Sequence, residues 1–227
     1  MSDYPHIALG WNPAFRVIPT RFPAVNLFDR VAGPEDFEAL YALEAMTNDR
    51  LRDEVGDISL VPAEERLFGP GSGPIMAAFT HLNPQGSRFG DGSHGVFYCG
   101  REKETAIAET RHHSALFMGA TAEPPMRLQM RLYTVAAEGE AVDLRKAAQA
   151  DPRIVDPDDY GHAQSIGRKL RGEGAPGILY PSVRRPGGEC LAALRTGILR
   201  DCLHAAYLEY NWNGRGIDAV FEVSQII

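Results

Sequence analysis

The chain has 227 residues, of which 44% are hydrophobic, and a formal net charge of -7. That length suits one large domain, and the apolar content supplies a sizeable core, which excludes a mainly disordered chain. The acidic balance gives no overall basic footprint for nucleic acid, and no run of about 18 apolar residues is present to span a membrane.

The opening MSDYPHIALGWNP has neither a charged n-region nor an apolar run, so a secretory signal is not expected. FRVIPTRFP (15–23) alternates weakly and reads as a strand or an extended arm. GPEDFEALYALEAMTNDRL (33–51) reads as a helix. Pro34 suits its first turn, Glu35 and Asp36 suit the positive end of its dipole, and Phe37, Leu40 and Leu43 or Glu44 recur at helical spacing. VPAEERLFGPGSGP (61–74) is a loop-rich connection, and IMAAFTHL (75–82) is a short apolar run that fits helix or strand. GDGSHG (90–95) is a turn-prone loop that leads into the strand VFYC (96–99). A helix follows from near Glu102, with Ala106, Ile107, Thr110, Ser114, Phe117 and Met118 as its inward stripe.

MRLQMRLYTV (126–135) alternates cleanly and predicts a half-buried strand. DDYGHAQSIGRKLR (158–171) predicts a helix, and GILYPSV (177–183) a strand. RRPGG (184–188) is a turn into the strand ECLAALR (189–195). AAYLEYNWNGRGIDAVFEV (205–223) predicts a hairpin about its Asn-Gly pair. Strands outnumber helices and the two alternate only weakly, which gives an α+β class with a mostly antiparallel, twisted sheet. Cys99, Cys190 and Cys202 are odd in number and widely spaced, so reduced cytoplasmic thiols are expected and no metal motif is formed.

The stretch from Ser87 to Glu109 carries the chemistry. Strand alternation puts Tyr98 on the face of Val96, opposite Phe97 and Cys99. Glu109 lies at the margin of the helix stripe, with His113 on the same edge. An arginine on the loop, an aromatic on the strand and a carboxylate on the helix suit a ligand with a phosphate, a flat ring and a centre that becomes positive on reaction. Each residue also has a plain structural role: Arg88 as a surface charge, Tyr98 as sheet packing, Glu109 as a solvated helix edge.

At these residues, and most densely in GSRFGDGSHGVFYCGREKETAIAETRHH and GILYPSVRRPGGECLAALR, the chain resembles the RES-domain family. The family's arginine maps to Arg88, its strand tyrosine to Tyr98, its helical glutamate to Glu109 and its serine to Ser182. The resemblance implies a single domain over 1–227 with an embellishment at about 27–84, and a fold like the ADP-ribosyltransferase toxins. It implies a cytoplasmic toxin that cleaves the nicotinamide–ribose bond of NAD by hydrolysis or phosphorolysis, held inactive by a cognate Xre-type antitoxin. NAD is then the substrate, with water or inorganic phosphate as acceptor and no further cofactor. Transfer of ADP-ribose to a protein is the alternative.

In that scheme Glu109 stabilises the developing ribosyl cation and Arg88 clamps the diphosphate, assisted by Arg16 or Arg21. Tyr98 packs on the nicotinamide or orients the ribose, Ser182 bonds the ribose or the amide, and Gln164 lines the cleft. The loop GSRFGDG departs from the GGRWN of compact members. Two other readings are weaker. His112 and His113 in ETRHH are adjacent, not one helical turn apart as in a zinc helix, and FGPGSGP lacks the lysine of a phosphate-binding loop. A non-catalytic binding module on the same fold is the remaining rival.

Overall fold

The computed structural model describes residues 3–22, 27–31, 33–36, 39 and 55–224. Its seven strands are β1 (His6–Pro19), β2 (Phe97–Gly100), β3 (Met126–Asp143), β4 (Gly177–Pro181), β5 (Glu189–Ala193), β6 (Leu199–Trp212) and β7 (Ile217–Val223). They form one sheet in the order β1-β2-β5-β4-β3-β6-β7, with a further pairing of β1 to β3. That extra pairing bends the sheet into a ring. β3 binds β1 along one edge, and along the other it binds β6 and then β4 at Val142 and Asp143. β1 meets β2 at Phe15, and β2 continues to β5 and β4. All pairings are antiparallel except β3 with β4. The structure is therefore the expected α+β fold with flanking helices.

A four-residue helical turn spans Leu27–Arg30, and the longer described helices are α1 (Gly73–Thr80), α2 (Lys103–Ala120), α3 (Arg145–Ala150) and α4 (Gly161–Gly172). The ambiguous run at 75–82 is thus helical up to Thr80, with Pro74 in the first turn and Asp29 Oδ1 accepting the N–H of Gly73 at 2.5 Å. The helix expected at 33–51 lies mostly outside the described residues, although 34–36 are helical. The Asn-Gly hairpin is present: Asn213 donates to the Gly216 carbonyl, and Gly214 has φ of +91°, the left-handed geometry that glycine accepts without strain.

Three apolar clusters hold these layers. One joins Trp11, Phe97, Tyr133 and Leu191 to Phe28, Ile75, Met76 and Phe79, so the described parts of 27–84 pack directly on the sheet. A second joins Phe89, Ile166, Leu170, Ile178, Tyr180 and Cys190 beneath α4. A third joins Met130, Leu132, Leu208, Tyr210 and Trp212 beneath Ala106 and Met118 of α2. β2 lies between the first two: Phe97 and Cys99 enter one, Val96 and Tyr98 the other. The alternation read from VFYC is therefore correct.

Two details differ from the sequence reading. β3 is exposed at Met126 and Arg127, but Met130 to Tyr133 are all buried, because Met130 and Leu132 enter the third cluster while Tyr133 enters the first. Arg131 is 8% exposed there; its Nη2 donates to the carbonyls of Thr20 and Phe22. On α2, Phe117 is 45% exposed rather than inward, and Arg21 lies over its ring at 4.3 Å. Thr105 takes the buried place instead, and Thr110 hydrogen-bonds the Tyr210 hydroxyl at 2.7 Å.

α4 approaches the loop that carries Arg88 so closely that a Cβ on Gly167 would lie 2.1 Å from the Phe89 carbonyl oxygen. Gly167→Ala is expected to destabilise the protein by about 1–3 kcal/mol, since a backbone atom has to shift. Gly172→Ala, which meets nothing within 4 Å, is the control and is expected to be neutral or stabilising by up to about 1 kcal/mol. Urea unfolding of the two variants measures the difference.

Candidate active site

The arginine loop is held from several sides. The Tyr98 hydroxyl accepts a hydrogen bond from the Phe89 N–H at 2.9 Å and shares one with Ser87 Oγ at 2.8 Å. Gln164 on α4 donates to the Ser87 carbonyl at 3.1 Å. Asp91 binds Ser93 and Arg168, and the Ser93 hydroxyl, with Arg168, keeps its carboxyl well below the usual range. This framework leaves Arg88 only 7% exposed. Its Nη1 donates to the Asp156 carbonyl at 2.6 Å, and its guanidinium lies 4.6 Å from the centre of the Tyr160 ring.

Glu109 is fixed by a different loop. After β4 the chain turns at Ser182, and the Ser182 hydroxyl donates to Glu109 Oε1 at 2.6 Å. The same oxygen accepts the backbone N–H groups of Val183 at 3.0 Å and Arg184 at 3.2 Å. Oε2 has no hydrogen-bond partner among the described residues. Ser182 Oγ in turn accepts from the N–H groups of Arg184 and Arg185, at 3.3 and 3.0 Å. A hydroxyl has one donor and two acceptor sites, so the hydrogen-bonding capacity of Ser182 is occupied within the protein. The turn docks on α2 through Arg185 as well, which donates to Glu102 at 3.1 Å and to Thr105 at 2.9 Å. Thr105 and Glu109 are one helical turn apart and so face the same turn.

Several buried groups register the charges around them. Tyr180 stacks edge-on to Phe89 at 5.0 Å, and its phenol is raised first by burial, then by Cys190, Glu109 and Tyr98, with Arg88 opposing. One side chain is thus within the fields of Arg88, Tyr98 and Glu109 together. His112 is lowered by burial and then by Arg184, while Glu109 and Asp158 oppose; its Nε2 is buried without a partner among the described residues. Geometry joins the same groups: Phe89, Tyr98, Tyr180 and Cys190 share the second cluster, and the Cys190 thiol lies 4.0 Å from Glu109 Oε1, so the arginine loop, the strand tyrosine and the helical glutamate border one cluster, with Ser182 joined directly to Glu109 and Gln164 supporting the loop.

Arg16 and Arg21 do not join them. Arg16 stacks on Phe97 at 4.3 Å, on the face of β2 opposite Tyr98, and its Nη1 donates to the Tyr98 carbonyl at 2.9 Å. Arg21 is exposed and lies over Phe22 and Phe117. With His113 and Thr110, Arg21 lines a groove of about 570 Å³. That groove touches none of Arg88, Tyr98 or Glu109. Its lining is largely apolar, and no carboxylate in it is fixed as Glu109 is. Among the described residues, no group of three or more His, Cys, Asp or Glu side chains is arranged to hold a metal ion. No helix there is long and apolar enough to cross a membrane. Tyr160, Tyr180 and Arg184 are not among the candidates read from the sequence, where His112 enters only as half of a weak metal-ligand pair. His112 follows Glu109 by three positions and Arg184 follows Ser182 by two, which are the signals that mark them.

The RES domain family model matches residues 64–213. The chain belongs to the RES-domain family. The match takes in Arg88, Tyr98, Glu109, Gln164 and Ser182, and leaves out Arg16 and Arg21. Uncharacterized protein y4oC of Sinorhizobium fredii (strain NBRC 101917 / NGR234) is 31% identical over 211 residues, which cover 91% of this chain and 86% of that protein. Among solved structures, a chain of the M. tuberculosis MbcT-MbcA toxin-antitoxin complex aligns over 92% of this chain and 87% of its own, at 12% identity and a TM-score of 0.46.

The Tyr98 hydroxyl makes a test of this RES-domain framework. Burial pushes its pKa up to about 12 from an ordinary 10.0. Buried Cys99 and Cys202 are likewise pushed to about 12 from 9.0. All three stay protonated in the folded state after the unfolded chain has ionised, so stability is whole below about pH 9 and falls as pH rises toward 12. Urea midpoints taken from pH 7 to 11 are expected to decline above pH 9. Tyr98→Phe is expected to destabilise by about 1–3 kcal/mol at pH 7, because the Phe89 N–H loses its acceptor, and to flatten the decline above pH 10. A flat profile in the parent protein would contradict the burial of these groups.

Proposed function

We propose that this RES-domain protein breaks the nicotinamide–ribose bond of NAD and acts as a toxin restrained by a cognate Xre-type antitoxin. The observation that carries the reading is the state of Glu109: one carboxylate oxygen accepts from three donors within 3.2 Å and from the Cys190 thiol at 4.0 Å, while the other has no partner among the described residues. A carboxylate fixed in this way is preorganised toward a charge that is absent in the ground state and appears during the reaction.

Nicotinamide in NAD carries a positive charge and departs with the bonding electron pair as a neutral base. The ribose carbon it leaves becomes oxocarbenium-like, and Glu109 Oε2 stabilises that cation. Water, or an oxygen of inorganic phosphate, then bonds the carbon; water gives up a proton to the solvent in doing so. Arg88 clamps the diphosphate with its planar fork. The ring of Tyr98 forms a wall of the site while its hydroxyl remains committed to the arginine loop. Ser182 is a positioning residue in this scheme, since its proton is directed at Glu109. The implied antitoxin, the ADP-ribosyltransferase-like ancestry and a single domain over 1–227 belong to the same proposal.

Glu109→Gln keeps the shape and removes the anion. It is expected to lower NAD cleavage by about 10²–10³-fold, the usual loss for one transition-state electrostatic contact. Ser182→Ala is expected to lower kcat less, because the two backbone donors to Glu109 remain. Nicotinamide release from NAD, followed with and without inorganic phosphate, measures both. Radiolabel from NAD retained on protein in a cell extract would favour transfer to a protein acceptor instead. No release under either buffer condition and no labelled protein would remove the reading.

A further inference from the structure

Arg88 is not the only guanidinium at this site. The backbone N–H of Arg184 touches Glu109 and Ser182, which fixes where its side chain starts. Its Nη2 donates to the Pro157 carbonyl at 2.7 Å. Arg88 Nη1 donates to the preceding carbonyl, that of Asp156, at 2.6 Å. Two arginines from two separate loops therefore end on neighbouring carbonyls of one segment. Both act on His112, which also registers Glu109. The Nε of Arg184 is buried and has no acceptor among the described residues. Arg16 and Arg131 share that feature, so the orphan only leaves Arg184 with a donor to spare, and the pairing of two guanidiniums on adjacent carbonyls is what distinguishes it.

We infer that Arg184 is a second diphosphate-binding residue, opposed to Arg88, and that both rest on the 156–157 carbonyls until a diphosphate replaces them. The inference deepens the NAD reading above and rests on it. Carbonyl oxygens are neutral acceptors, whereas phosphate oxygens are anionic and match a guanidinium fork at two points, so exchange favours the ligand. The 156–160 segment does not need the arginines for its shape. Asp156 Oδ1 accepts the N–H groups of Asp158 and Asp159 at 2.9 and 2.8 Å, and Asp159 accepts that of Gly161 at 2.9 Å. It can give up the two guanidiniums without losing its own turn.

The test uses the full chain, with NAD cleavage for kinetics and calorimetric binding of ADP-ribose as the probe. Arg184→Ala is expected to raise KM for NAD and weaken ADP-ribose by about tenfold or more, with KM rising by more than kcat falls, as loss of binding common to ground and transition states requires. Arg184→Lys restores charge without the fork and is expected to recover only part of the loss. It also serves if the alanine variant melts early. Unchanged KM and unchanged ADP-ribose affinity in a folded Arg184 variant, with NAD still cleaved, would overturn the inference and leave the cleavage reading standing. Arg184-dependent ADP-ribose binding by a protein that leaves NAD intact would do the reverse. A protein that neither cleaves NAD nor binds ADP-ribose would overturn both.

Discussion

A helix and a turn 73 residues further along the chain are tied together by one hydrogen bond, from the Ser182 hydroxyl to Glu109 Oε1. The remainder of the candidate site is arranged around that contact. The bond is only 2.6 Å long and its acceptor is a carboxylate, the kind that sets direction as well as proximity. Because Val183 and Arg184 add their N–H groups to the same oxygen, the carboxyl plane is set by the backbone of the turn rather than by a single side chain. The turn is in turn set by Ser182, whose oxygen accepts two of the turn's own N–H groups. The serine thus builds the turn and aims the acid with one hydroxyl.

The arginine loop obeys the same logic with different residues. Tyr98 contributes a hydroxyl that satisfies a backbone donor, and its burial in the second cluster fixes where that hydroxyl stands. Gln164 and Gly167 bring α4 against the loop, one through a hydrogen bond and the other through the absence of a side chain. β2, β4 and β5 are covered on both faces, so the strands that lead into the two loops are held by packing on each side. Loops that carry chemistry are commonly positioned by a rigid scaffold of this kind.

The local pattern of the chain was enough to read the parts that depend on local periodicity. VFYC, ECLAALR and the Asn-Gly hairpin have turn or alternation signals within their own few residues, and they form where those signals place them. The convergence of Arg88, Tyr98, Glu109 and Ser182 was legible only through likeness to a family, since no spacing rule links positions 109 and 182. The burial of β3 on both faces was hidden because Tyr133, Val135 and Ala137 enter a cluster with Phe28, Ile75, Met76 and Phe79, far away in sequence. Phe117 looked inward by helical phase alone. It is exposed because the third cluster is already filled by Met118, Tyr210 and Trp212, and because Arg21 covers its ring from outside. The place of Arg184, and that of His112 beyond a weak metal-ligand pair, are hidden for a different cause: the charges beside them are a property of the fold.

Arg16 supports the site from the far side of β2. The family resemblance implies a share in diphosphate binding for Arg16 or Arg21, and in the structure the Arg16 guanidinium lies on the Phe97 side of β2, where burial lowers its pKa. A buried cation of this sort persists only where something compensates its lost hydration. Here the Phe97 ring supplies a π face and the Tyr98 carbonyl an acceptor. That acceptor belongs to the residue whose hydroxyl holds the arginine loop on the other side of the strand. Arg16 therefore pins the backbone of Tyr98 from behind while Phe89 and Ser87 engage the phenol in front. The first arginine of the chain contributes to the site through a strand, without reaching into it.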